Sequence, residues 1–77
     1  MTIERAVARR ILEICLDKHL SVSALAHASN VNPSTIYEFL AGRTKCPTVT
    51  VIKMLCDGVK MPISDFFEKE YFYDNAE

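Results

Sequence analysis

Apolar residues recur every three or four positions along the first part of the chain, at Ile3, Val7, Ile11, Leu12, Ile14, Cys15 and Leu16. Residues with this spacing share one face of an α-helix, so the pattern predicts a helix from Ile3 to Lys18. Thr2 is a suitable N-cap, because its hydroxyl can accept a free N–H of the first turn. Arg9 and Arg10 lie off the apolar stripe, and we expect both to be solvated.

Two short helices joined by a tight turn are predicted next. The first follows Ser21 as its N-cap and ends at Asn30, because asparagine tolerates the left-handed conformation better than most residues. The second runs from Pro33 to Ala41 with Asn32 as its N-cap. A proline is well tolerated at the first helical position, where the missing N–H has no helical partner. Gly42 ends this helix as a left-handed cap.

Two more helices complete the predicted fold. One begins after the cap Thr48 and continues to Val59, and the other runs from Pro62 to Glu68. No segment alternates apolar and polar residues for long enough to predict a strand. We therefore expect an all-α, compact five-helix bundle. The residues of the second and third helices expected to face its core are Leu25, Ala26, Ile36, Phe39 and Leu40. The last two helices carry the apolar residues Val49, Ile52, Leu55, Cys56, Val59, Ile63, Phe66 and Phe67.

The length of 77 residues provides for one modest core, without room for a second domain or a deep enzyme cleft. No apolar run approaches the ~20 residues that a membrane span needs. Charges interrupt the first five residues, so no signal peptide is predicted. We expect a cytoplasmic protein with no membrane partner.

The net charge of −1 is unevenly distributed. Residues 1–60 carry eight Lys and Arg against five Asp and Glu, giving +3, whereas residues 61–77 carry one lysine against five acids, giving −4. A mildly basic body can present a positive face despite the overall balance. We therefore divide the chain into a domain at 1–70 and an acidic, aromatic tail at 71–77. Tyr71, Phe72 and Tyr73 of this tail either form a dimer contact or fold back onto the domain.

Side chains that could support catalysis or metal binding are scattered. The three cysteines form no CxxC pair, and neither His19 nor His27 lies at zinc-ligand spacing from them. We expect Cys15 and Cys56 in the core and Cys46 in a loop. No catalytic grouping and no glycine-rich phosphate loop is recognisable, so we expect no enzymatic activity, cofactor, metal or small-molecule substrate.

The functional prediction depends on the segment from Ser21 to Pro47. Two short helices joined by a turn of three or four residues form a helix-turn-helix unit. The small Ala26 allows the two helices to approach closely, and Val31 and Ile36 are expected to pack on Leu25. The first turn of the second helix then projects into solvent.

Four local motifs lie between Ile11 and Phe67: the pair Leu25-Ala26, the helix start Ser34-Thr35-Ile36, the loop Gly42-Arg43-Thr44-Lys45-Cys46-Pro47 and the final Asp65-Phe66-Phe67. Together they resemble the lambda-repressor-like, Cro/XRE-type helix-turn-helix family. The resemblance implies that the third helix enters the major groove, while the start of the second helix and the loop after the third hold phosphates. The chain departs from the family at Val22, where glutamine is frequent, at Asn30, where glycine is frequent, and at Leu40, where glutamate is frequent.

This unit supplies two sets of candidate contacts. Polar groups on the third helix can bond to base edges, and the candidates are Ser34, Thr35, Tyr37 and Glu38. Groups at the two helix starts and in the basic loop can bond to phosphates, and the candidates are Ser21, Ser23, Asn32, Arg43, Thr44 and Lys45. The alternative roles are N-caps at Ser21 and Asn32, and solvated charges in the loop.

We therefore expect a sequence-specific, DNA-binding transcriptional regulator of bacterial or phage type that reads the major groove of double-stranded DNA with Pro33–Ala41. A homodimer on a palindromic operator would place two such helices ~34–36 Å apart. The alternative is a protein-interaction module, antitoxin-like or adaptor-like, on the same scaffold. The net acidity, the aromatic tail, if it is exposed, and the weak reading residues Val22, Pro33 and Glu38 favour this alternative.

Overall fold

The computed structural model describes residues 2–73. In chain order they form α1 (Ile3–Lys18), α2 (Val22–Ala28), α3 (Pro33–Leu40), α4 (Val49–Gly58), α5 (Ile63–Phe66) and a short 3₁₀ helix (Glu70–Phe72). No strand occurs within this range, so the expected all-α, five-helix architecture is confirmed. Helix α5 is shorter than the predicted Pro62–Glu68. Residues 74–77 of the predicted tail lie outside the described residues.

Four helices begin at side-chain caps that were predicted. Thr2, Ser21, Asn32 and Thr48 each accept a hydrogen bond from a backbone N–H two or three residues later, at 2.9–3.3 Å. Each bond satisfies one of the N–H groups that the first turn of a helix leaves without a partner. The caps therefore fix the starts of α1 to α4 from local sequence alone.

The same four helices end in one repeated motif. The residue after each last turn adopts the left-handed conformation: His19 (φ 56°), Asn30 (φ 57°), Gly42 (φ 79°) and Lys60 (φ 58°). Its N–H donates to the carbonyl three residues earlier at 2.9–3.2 Å, and the next N–H donates to the carbonyl five residues earlier at 2.9 Å. This pattern is the Schellman motif. The sequence predicts a left-handed residue at Asn30 and Gly42, but not at His19 or Lys60.

The core lies where α2, α3 and α4 meet α1 and α5. Its buried apolar residues are Ala6, Val7, Ile11, Ile14, Cys15, Leu25, Ala26, Val31, Ile36, Phe39, Ile52, Leu55, Cys56 and Phe66. Gly58 allows α4 to pass close to α2, because a Cβ at this position would overlap the Ser29 side chain. Ser29 is itself buried, and its hydroxyl donates to the Leu25 carbonyl at 2.8 Å.

The buried face of α1 differs from the predicted stripe. Ile3 and Leu12 are about half exposed, and Leu16 is 77% exposed. The buried positions instead centre on Val7, Ile11 and Ile14. Leu12 and Leu16 each follow a buried residue directly, and one residue turns a helix by about 100°. Val49, an apolar residue at the start of α4, is also exposed.

The expectation that Arg10 is solvated was wrong. Arg10 is only 5% exposed and lies on the buried side of α1. Its Nε donates to the Phe66 carbonyl at 2.7 Å, and its Nη2 donates to the Asp65 carbonyl at 2.9 Å. Both carbonyls belong to the end of α5, where a helix leaves acceptors without partners. Arg10 therefore joins the first helix to the last.

The start of the predicted tail packs onto the helices. The Tyr71 hydroxyl donates to Glu13 Oε1 at 2.6 Å, and the Arg9 guanidinium lies 4.4 Å from the centre of the Tyr71 ring. The Phe72 ring meets the Phe67 ring edge-on at 5.0 Å. Of the two alternatives for this segment, the structure therefore has Tyr71 and Phe72 folded back against α1 and α5.

Candidate nucleic-acid interface

The turn between α2 and α3 has the geometry that a helix-turn-helix unit needs. Asn30 reverses the chain in the left-handed conformation, and Val31 follows it into the core. Ala26 and Ile36 are completely buried, and Leu25 is nearly so. Helix α3 is therefore held against α2 by apolar contacts on one side only.

The opposite side of α3 is open to solvent. Ser34 and Thr35 in its first turn are exposed, Tyr37 is 48% exposed and Glu38 is partly exposed. The two buried residues of the helix, Ile36 and Phe39, point the other way. All four candidates for base contacts thus lie outside the core and are accessible to a ligand.

The loop after α3 carries the cationic candidates. Arg43, Thr44 and Lys45 are all exposed, directly after the left-handed Gly42. Within residues 2–73, no carboxylate lies within ion-pair distance of Lys45. A lysine and an arginine on a solvent-exposed loop can reach an anion without losing much packing.

Two of the polar candidates for phosphate contacts, Ser21 and Asn32, act as the N-caps of α2 and α3. Ser21 Oγ accepts from the Ala24 N–H at 3.0 Å, and Asn32 Oδ1 accepts from the Ser34 N–H at 2.9 Å. Both residues are exposed, and Ser23, in the first turn of α2, is partly buried. The capping role expected for Ser21 and Asn32 is therefore confirmed, and each retains a polar hydrogen that the cap does not use.

An ion pair between Glu38 and Arg43 at this surface was not predicted. Arg43 Nη1 lies 3.4 Å from Glu38 Oε2, so a phosphate candidate and a base-reading candidate form an ion pair. Their side chains remain 69% and 43% exposed. The signal in the sequence was their separation of five residues across Gly42, because the Schellman motif places such residues side by side.

Other side chains show little that suggests chemistry. Among residues 2–73, no group of three or more His, Cys, Asp or Glu could hold a metal ion. Cys15 and Cys56 are buried, as expected, and Cys46 lies in the loop before α4. Burial raises the pKa of all three thiols, which leaves less of the reactive thiolate at neutral pH. The described helices are also too short or too polar to cross a bilayer.

Comparison with known proteins agrees with this geometry. The Cro/C1-type HTH DNA-binding domain matches residues 10–70, most of the chain. No curated protein matches. The crystal structure of the prophage Lp1 protein 11 is similar, with a TM-score of 0.83 and 26% sequence identity over 95% of this chain and 96% of that one. The protein therefore belongs to the Cro/C1-type helix-turn-helix DNA-binding domain family.

Proposed function

We propose that this protein is a sequence-specific transcriptional regulator that places α3 in the major groove of double-stranded DNA. The observation that carries the proposal is the solvent-exposed polar side of α3 directly beside the exposed cations of the following loop. The family supports DNA binding in general. The prophage protein with the similar structure supports a bacterial or phage setting, and hence action in the cytoplasm.

Base contacts are assigned to the exposed side of α3. Ser34, Thr35 and Tyr37 have hydroxyls that donate to or accept from base edges, and the Thr35 methyl can contact a thymine methyl. Glu38 accepts from the amino group of cytosine, the only base that offers a donor without an adjacent acceptor in the major groove. These contacts supply sequence preference, whereas phosphate contacts supply most of the affinity.

Phosphate contacts are assigned to the loop and to the two helix starts. Arg43 and Lys45 supply charge, and Thr44 supplies a hydroxyl. Ser21 uses an oxygen lone pair for its cap and keeps its hydroxyl hydrogen for a phosphate, and Ser23 offers a second hydroxyl. Asn32 uses Oδ1 for its cap and keeps its amide hydrogens. Phosphates bound at both ends of the unit would fix the orientation of α3.

We propose further that the protein acts as a homodimer. A single domain of this size makes few DNA contacts, and a two-fold pair would place two copies of α3 ~34–36 Å apart, one turn of DNA. No catalytic activity, cofactor or small-molecule substrate forms part of the proposal.

Selection of bound duplexes from a random pool tests both statements. The expected result is a palindromic consensus with half-sites one helical turn apart. A consensus without symmetry would contradict the dimer. Recovery of random sequences at every salt concentration would contradict sequence-specific binding.

A protein-interaction module is the second candidate. The observation that favours it is the open side of α1, where Leu12 and Leu16 are exposed. A cleft of about 500 Å³ runs between this side of α1 and the end of α3, with Leu12, Phe39 and Leu40 among its lining residues. Retention of a stable protein partner, without retention of any duplex at low salt, would favour this function over DNA binding.

A further inference from the structure

The end of α3 differs from the ends of α1, α2 and α4. In each Schellman motif, the residue directly after the left-handed one donates its N–H to the carbonyl five residues earlier. The side chains of these two residues lie together. In the other three motifs these pairs are apolar and belong to the core or pack against it: Cys15 with Leu20, Ala26 with Val31, and Cys56 with Met61. At the end of α3 the pair is Glu38 with Arg43, and it is exposed.

Backbone and side chain both join this pair. The Arg43 N–H donates to the Glu38 carbonyl at 2.9 Å, and Arg43 Nη1 approaches Glu38 Oε2 at 3.4 Å. The backbone bond fixes the two residues side by side. The side-chain contact is long and open to water, and exposed ion pairs of this kind add little to stability. Arg43 can therefore leave Glu38 without unfolding the helix.

A DNA phosphate would compete with Glu38 for Arg43. When the phosphate takes the guanidinium, the Glu38 carboxylate is left without its partner beside a polyanion, which is unfavourable. The carboxylate regains a partner only where a base offers a hydrogen-bond donor. In the major groove, the amino groups of cytosine and adenine are donors, but the adenine N6 lies beside the N7 acceptor, which repels a carboxylate, whereas cytosine N4 has no acceptor beside it on its own base.

We propose that Glu38 and Arg43 form a coupled pair that lowers binding to non-cognate DNA. At a site without a suitably placed cytosine, either Glu38 retains Arg43 and the phosphate contact is lost, or Arg43 binds the phosphate and Glu38 is left unpaired, and both outcomes weaken binding. At a cognate site, cytosine N4 occupies Glu38 and Arg43 is released to the phosphate. This inference rests on the proposed function, because it requires α3 to face the bases.

The experiment measures binding of a random-sequence duplex and of a selected duplex at several salt concentrations. Four proteins are compared: the natural sequence, Glu38→Gln, Arg43→Ala and the double variant. Glu68→Gln is the control, since it removes one exposed carboxylate outside α3 and its loop. All substituted side chains are at least partly exposed, so the variants should fold.

Glu38→Gln should tighten binding to the random duplex about five-fold, because Arg43 is no longer held by the Glu38 carboxylate and is released to a phosphate. It should also steepen the salt dependence, because Arg43 gains a phosphate. In the Arg43→Ala background the same substitution should change binding less than about two-fold if the two residues are coupled. Selection with Glu38→Gln should lose a preference for cytosine at one position of each half-site.

Two results would overturn the coupled pair while leaving DNA binding intact. One is an equal effect of Glu38→Gln with and without Arg43. The other is an unchanged consensus together with unchanged affinity for the random duplex. If the natural protein instead shows no salt-dependent binding to any duplex, the proposed function fails and the pair fails with it.

Discussion

The Arg10 guanidinium donates to the Phe66 carbonyl at 2.7 Å, across 56 positions of sequence. A second bond reaches the neighbouring Asp65 carbonyl at 2.9 Å. The charge is nearly removed from solvent, and the Phe66 carbonyl would otherwise be a free acceptor at the end of a short helix. The Asp65 carbonyl also accepts the Glu68 N–H at 3.3 Å. This interaction holds α5, and the aromatic residues after it, against α1.

Arg10→Met should therefore lower the free energy of unfolding by about 2–4 kcal/mol. The apolar replacement keeps much of the side-chain volume but removes two charged hydrogen bonds, leaving the Phe66 carbonyl without a donor and the Asp65 carbonyl with only the Glu68 N–H. Urea denaturation followed by circular dichroism measures the effect. The matched control is Arg5→Met, an exposed arginine of the same helix, which should change stability by less than about 0.5 kcal/mol. Equal effects at positions 5 and 10 would show that the two bonds to α5 contribute nothing.

Gly58→Ala should destabilise the protein by about 1–3 kcal/mol, because the added methyl overlaps Ser29 where α4 crosses α2. Ser29→Ala removes the hydroxyl that is overlapped and should recover part of this loss in the double variant. A double-mutant cycle of unfolding free energies separates this coupling from the loss of the Ser29 bond to Leu25. Strict additivity would contradict the proposed overlap.

Lys60→Gly should stabilise the protein by about 0.5–1 kcal/mol. Lys60 is in the left-handed conformation, which is unfavourable for a residue with a Cβ and free of that penalty for glycine. Lys18→Gly removes the same charge from a helical position of α1 and should instead destabilise, by up to about 1 kcal/mol. Thermal unfolding of the two variants should shift Tm in opposite directions, and a common direction would reject the conformational argument.

Tyr71 should make stability fall at alkaline pH. Burial, together with the hydrogen bond to Glu13, raises the pKa of the Tyr71 phenol from 10.0 to about 12. The associated stability is fully present below the unfolded-state value near pH 10 and is lost as the pH rises towards 12. The difference in unfolding free energy between the natural protein and Tyr71→Phe should therefore be smaller at pH 11.5 than at pH 9. A difference that does not change with pH would contradict this linkage.

The pKa of Glu13, whose carboxylate accepts the Tyr71 hydrogen bond, shifts in the opposite direction. Burial acts to raise its pKa, but hydrogen bonds from Tyr71 and Arg9 outweigh burial, so the pKa of this carboxyl is lowered. Its contribution to stability is present above the unfolded-state pKa and is lost as the pH falls through the folded-state pKa. The unfolding free energies of the natural protein and Tyr71→Phe should therefore approach each other in the acid range, as Glu13 becomes protonated.

Lys45→Ala should weaken binding to all duplexes and lower the salt slope by about one. Arg43→Ala should do the same for the selected duplex, and should have a smaller effect on the random duplex, where Glu38 retains Arg43. Each cation that contacts a phosphate displaces condensed counterions, so its loss reduces the dependence of affinity on salt. Fluorescence anisotropy with a labelled duplex at several salt concentrations gives the slope. Lys69→Ala, outside α3 and its loop, should leave the slope unchanged. If neither loop variant alters the slope, the assigned phosphate contacts are wrong.

Local chemistry explains which parts of this fold could be predicted. Thr2, Ser21, Asn32 and Thr48 act within two or three residues of their own position, so the sequence specified where α1 to α4 begin. The left-handed ends at Asn30 and Gly42 could be predicted for the same reason, because these residue types favour that conformation.

Contacts between distant segments explain what was missed. The periodicity of α1 permits several apolar arcs, and only packing of the other helices selects the one that leaves Leu12 and Leu16 exposed. Arg10 has acceptors that belong to α5, so nothing near it in the sequence indicates burial. Glu38 and Arg43 were each identified as candidate contacts, but their pairing depends on the exact path of the chain around Gly42. The fold was therefore more predictable than the arrangement of charges on its surface.

The bonds from Arg10 also affect the order of events during synthesis. Protein chains are made from the N-terminus, and Arg10 acquires its acceptors only when residues 65 and 66 have left the ribosome. By then α2, α3 and the basic loop have already emerged. The nascent chain therefore exposes its candidate nucleic-acid interface before α1 can be joined to α5, and the core of the domain closes only after α5 has emerged.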